Sequence, residues 1–68
     1  MKKKKEIINK LDEILQDIYR LRYNTANNNK DAAYVNALLL KREACNLEEY
    51  ISKNNMEKKS WEKFIKEH

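Results

Sequence analysis

The apolar residues of this chain pair about a midpoint. Ile7 with Ile51, Leu11 with Leu47, Ile14 with Ala44, Ile18 with Leu40, Leu21 with Ala37 and Thr25 with Ala33 all carry numbers that sum to 58. Along each arm the steps alternate four and three residues, the 3.5-residue repeat of a coiled-coil seam. Ile7, Ile14 and Leu21 take d and Leu11, Ile18 and Thr25 take a; on the second arm Ala33, Leu40 and Leu47 take d and Ala37, Ala44 and Ile51 take a. In an antiparallel pair each a position faces a d position, and all six layers obey that rule. Two layers set a large residue against alanine, which lets the backbones approach closely. The pattern predicts an all-α chain built on an antiparallel two-helix hairpin with a coiled-coil-like seam.

Composition agrees with helix nearly throughout. The 68 residues include no Gly and no Pro, and 38% are charged; strands are not expected. One cysteine, Cys45, excludes an intramolecular disulfide and a cysteine-based zinc site, and reads as a small buried apolar residue in a reducing, cytoplasmic setting. Lys2 to Lys5 are followed by Glu6, Asn9, Lys10 and Asp12 rather than by an apolar run, so neither a signal peptide nor a membrane span is expected. A single domain of this size buries little surface per residue. Its seam therefore needs help from a third helix, from self-association or from a partner.

The first helix is expected over about residues 4–26, with Lys2 to Lys4 fraying because their charge opposes the helix dipole. The turn falls at Asn27, Asn28 and Asn29, where asparagine supplies the left-handed conformation that glycine usually provides, and Asn29 or its neighbour caps the next helix. The second helix is expected over about 30–53. Asn54 with Glu57 three residues on resembles a capping box, which predicts a short third helix over about 56–66 carrying Trp61, Phe64 and Ile65 on one face; an uninterrupted second helix is the alternative.

Beside the seam both arms broaden in the same direction, through Ile8, Leu15 and Tyr19 on one and Tyr34, Leu38 and Cys45 on the other. Folded back, the third helix covers Ile8, Leu15 and Cys45 and leaves a tyrosine-bearing patch near the turn. The candidate interaction face is Leu15, Tyr19, Tyr34, Leu38 and Leu39, with Arg22 placed to stack on Tyr34. Its expected occupant is a second copy, forming a four-helix bundle, or a larger protein that the chain binds as a small bacterial or phage regulator, by occlusion or assembly. A monomeric three-helix bundle is the bland alternative.

Charge supplies one further lead. The end holding both termini carries nine lysines, Lys2, Lys3, Lys4, Lys5, Lys53, Lys58, Lys59, Lys63 and Lys66, against Glu6, Glu57, Glu62 and Glu67, a formal excess of +5 within a net +4. Such an end suits nucleic-acid phosphates. It holds no arginine for bidentate base contacts, so a solvated surface is the simpler account. No catalytic, metal or cofactor motif is present: His68 is the single histidine, and Asp12 with Glu13, or Glu48 with Glu49, diverge by about 100° on a helix. Neither an enzyme nor a small-molecule binder is expected.

Overall fold

The computed structural model of the chain describes residues 1–56 together with Ile65. Within them two helices, α1 (Lys4–Ala26) and α2 (Lys30–Asn55), pack against each other as an antiparallel hairpin, with no strand among the described residues. The bounds of α1 are those its periodicity predicts. α2 runs two residues past the expected Lys53.

The turn is a Schellman closure made with asparagine. Asn28 holds φ 58°, its N–H donates to the Thr25 carbonyl at 3.1 Å, and the Asn29 N–H donates to the Asn24 carbonyl at 2.8 Å. Three consecutive asparagines thus end one helix without glycine. Asn29 precedes α2 but makes no side-chain cap bond. Its amide instead donates to Asn24 Oδ1 at 3.2 Å, and Asn24 Nδ2 donates across the hairpin to Asn36 Oδ1 at 2.6 Å.

The open end is closed by an amide as well. Asn55 Oδ1 accepts from the Lys2 N–H at 2.5 Å, and Asn55 Nδ2 donates to the Lys2 carbonyl at 3.1 Å. Lys2 is therefore paired rather than frayed, and Lys4 belongs to the first helical turn. Asn54 lies within α2 rather than ahead of a new helix, and its Nδ2 donates back to the Tyr50 carbonyl at 2.7 Å. α2 ends as Met56 turns extended, with φ −113° and ψ 136°. Met56 is thus not helical, and the third helix expected over 56–66 otherwise lies, Ile65 apart, outside the described residues.

The seam keeps three of its six expected positions on the first arm and four on the second. Ile7 and Leu47 are buried, and Ile14, Leu21, Ala33 and Leu40 are half-buried, as the heptads require. Leu11, Ile18 and Thr25 are exposed, however, and so are Ala37 and Ala44, while Ile51 is half-buried. Between the helices stand the residues one position earlier: Lys10 with Tyr50, Asp17 with Glu43, and Asn24 with Asn36. These pairs sum to 60, so the register is two residues off the mirror relation and each helix is turned toward its polar flank. The cause lies in the alanines. In the mirror register Ala37 and Ala44 offer Leu21 and Ile14 little area to bury against, whereas the turned seam gains the Asn24–Asn36 bond and places the Lys10 ammonium 5.0 Å from the Tyr50 ring centroid.

Candidate interaction face

Turning the seam gives the hairpin two unlike walls. On one side Leu11 and Ile14 of α1 meet Ala44, Leu47 and Ile51 of α2 along a groove of about 550 Å³ that Met56 and Ile65 also line. Ile8, Leu15 and Ile18 flank Leu11 at helical spacing, so α1 contributes a row of four large apolar side chains, 42–47% exposed. This row is the exposed apolar wall.

The residues expected to form the face divide over this geometry. Leu15 is 45%, Tyr19 60%, Tyr34 66% and Leu38 49% exposed; helical spacing puts Leu15 on the apolar wall and Tyr19 and Tyr34 at its margin. Leu39 is half-buried and lies about 140° round α2 from Ala44, away from this wall; Leu38, half a turn round α2 from the buried Leu47, lies on the outer surface with Val35, Arg42 and Cys45. Cys45, expected to be buried, is exposed. It sits on the outer margin of α2, which packs against nothing among the described residues. The cation–ring contact falls at Lys10 and Tyr50, where the neighbouring helices bring them together, in place of the expected Arg22 and Tyr34.

Sequence reasoning assigned Leu11 and Ile18 to the core, and they are instead the centre of the wall. A signal for this exists in the chain: the second mirror relation, with sum 60, pairs amide with amide, carboxyl with carboxyl, and cation with aromatic ring. Apolar periodicity alone outweighs it only if polar layers are disallowed.

The opposite wall is polar and electrostatically tight. Asp17 is 5% exposed and accepts from Arg20 Nη1 at 3.2 Å. Glu43 lies across from it, with Oε2 buried and lacking a hydrogen-bond partner. The hydrogen bond that a protonated Glu43 shares with Asp17, then burial, then the negative charges of Asp17 and Glu13 hold the Glu43 carboxyl above its ordinary range, against the lowering pull of Arg42. Two carboxyls side by side favour one proton between them.

At the open end the Asn55 clamp brings Lys2 to Lys5 beside Lys53, all exposed; Lys58, Lys59 and Lys63 lie outside the described residues. Among the described residues no group of three or more His, Cys, Asp or Glu side chains is placed to hold a metal ion, and no helix is long and apolar enough to cross a membrane. Comparison of the chain with protein-family models, with curated proteins and with solved structures finds no match.

Proposed function

We propose that this chain is a non-enzymatic helical interaction module, and that its working surface is the apolar wall centred on Leu11, Leu15 and Ile18. The observation that carries this reading is the imbalance between the seam and its flank. Ile7 and Leu47 are the apolar side chains buried among the described residues, whereas Ile8, Leu11, Leu15 and Ile18 stand 42–47% exposed in one row. Exposed apolar area of this continuity on a small chain marks a surface that is covered when the protein works. Docking there is a helix-on-helix event, since the groove between two parallel ridges accepts a third cylinder. Occlusion or assembly of the bound protein follows from such docking without any chemistry by the module itself.

The test is partner capture with the full chain, comparing wild type with Leu11→Asp, Leu15→Asp and Tyr19→Asp, and with Tyr23→Asp on the far side of α1 as control. The wall variants are expected to lose the bound protein and the control to keep it. A partner held equally by all four variants sinks the reading.

A second reading, nucleic-acid contact by the open end, draws on the clamp that gathers Lys2 to Lys5 beside Lys53. It requires binding to DNA or RNA that weakens steeply with salt and disappears when those lysines are neutralised.

A further inference from the structure

We infer that the groove at the open end of the apolar wall is occupied by the chain's own C-terminal segment, residues 57–68, laid back along the hairpin with Trp61, Phe64 and Ile65 toward the groove. This rests on the reading of the wall as a surface that is covered, and it divides that wall. The segment takes the open end, and the partner takes the α1 row through Leu15 and Ile18 toward the turn, with Leu11 at the border of the two.

Position gives the first argument. α2 ends at Asn55 and Met56 turns extended, so the chain leaves the helix direction at the open end. Continuing α2 outward would carry Ile65 beyond that end, yet Ile65 stands with Leu11, Ile14, Ala44 and Leu47 along the groove. It follows Met56 by nine residues, which rise about 13 Å as helix, and nine residues back along α2 from Met56 is Leu47. The reach of the segment matches the place where Ile65 is found.

The pattern of the segment fits the groove. At helical spacing Trp61, Phe64 and Ile65 fall within an arc of about 100°, and Lys59, Lys63 and Lys66 fall opposite them. Such a stripe buries its apolar side and leaves its lysines in water. Met56 and Ile65 stand 43% and 60% exposed at the groove, so closing it falls to the two aromatic residues between them, which bury roughly 150–250 Å² each when packed. A hairpin with two buried apolar side chains among its described residues lacks the core that a chain of this size needs. The segment supplies that core within one molecule. Tethering then decides between occupants: the segment starts at the mouth of the groove, where its effective concentration is on the order of millimolar, and a free helix of like chemistry at micromolar concentration loses the competition.

Trp61 is the single tryptophan and reports on the segment directly. In the full wild-type chain its emission is expected to be blue-shifted from that of the urea-unfolded chain and weakly quenched by acrylamide, to the same degree at every protein concentration across the micromolar range. Ala44→Glu puts a charge into the groove at an exposed position and is expected to lose the blue shift while the hairpin stays helical by circular dichroism. Val35→Asp, on the outer surface of α2, is expected to keep it. Phe64→Asp repeats the test from the segment's side without altering the hairpin. A helical wild type whose Trp61 is quenched as readily as in the unfolded chain overturns the segment as occupant and leaves the whole wall to the partner. A shielded Trp61 that neither Ala44→Glu nor Phe64→Asp unmasks overturns the groove as its seat, and shielding lost on dilution overturns the intramolecular occupant in favour of a second molecule. Partner capture by Leu15→Asp and Tyr19→Asp is read without Trp61, so the failure of the proposed function and the failure of this assignment are told apart.

Discussion

The two walls that flank the seam carry the same heptad spacing and opposite chemistry. One is lined by Leu11, Ile18, Ala37 and Ala44, all exposed; the other by Lys10, Asp17, Asn36 and Glu43, drawn between the helices. The polar wall holds the hairpin through directional contacts that cost little to expose and fix one register. The apolar wall adds little to the hairpin itself: Leu11, Ile18, Ala37 and Ala44 stay exposed along a groove that Met56 and Ile65 also line. The contrast teaches that a wide apolar stripe on a short hairpin does not have to be centred on the hairpin's own seam. When polar residues at one margin can satisfy each other across the helices, the pair closes on that margin and turns the stripe outward.

The comparison can be broken most forcefully on the apolar side. Leu11→Asp places a charge at the middle of the apolar wall and is expected to weaken binding of the proposed partner by more than about 3 kcal/mol, read as loss of the captured protein. The same change at Tyr23, on the outer side of α1, is expected to do almost nothing.

The polar wall answers differently. Replacing its carboxyl pair, Asp17→Leu with Glu43→Leu, removes two groups whose desolvation is only partly offset, and is expected to stabilise the fold by about 1–4 kcal/mol in thermal or urea unfolding. It also removes a reason for the turned seam. Broader amide resonances or mixed cross-helix contacts in NMR spectra of that variant are expected to report more than one register.

A smaller effect concerns pH. The Glu43 carboxyl is held above its ordinary range in the fold by its bond with Asp17, by burial and by neighbouring negative charge. An acid whose folded value is raised favours folding most when it is protonated: its contribution is full below the unfolded value and is lost as pH rises through the folded one. Wild type is therefore expected to gain stability relative to Glu43→Gln as pH falls from neutral toward the carboxylate range, with Glu43→Gln the more stable of the two at neutral pH. A matched pair of thermal melts at the two pH values checks the sign.

The smallest expected change is at the turn. Asn28→Gly relieves the left-handed backbone of its side chain and is expected to be neutral or to stabilise by a few tenths of a kcal/mol, while Asn28→Ala is expected to cost about 1 kcal/mol. Helicity against temperature for the two variants separates them.

Much of this molecule is legible in its residues, but unevenly. The limits of α1 follow from its apolar period and from asparagines that end it, and α2 begins where the turn chemistry puts it. The direction in which the apolar face widens on α1 is also legible, because Ile8, Leu15 and Tyr19 follow Leu11 round the same flank of the helix. The rotation of the seam is not legible from hydrophobic spacing. A heptad analysis assigns Ile18 and Ala44 to the core by type, and the competing pairs, Asn24 with Asn36 and Asp17 with Glu43, declare themselves only once side chains are allowed to meet across the helices. Leu38 and Cys45 fall elsewhere than expected for a related reason: both lie on the outer surface of α2, and apolar character alone does not tell an outer stripe from the flank of a seam.

The reciprocal amide contact between Asn55 and Lys2 bears on how the chain acquires its shape. Cross-helix contacts near the turn close short segments, 12 residues for Asn24 with Asn36, whereas the Asn55 contact closes 53. Loop entropy makes the longer closure about 1 kcal/mol dearer if formed alone, but only a small step once the shorter contacts exist. The hairpin is thereby built to zip from its asparagine corner, and the contact at its mouth is the latch that shuts last and slips first.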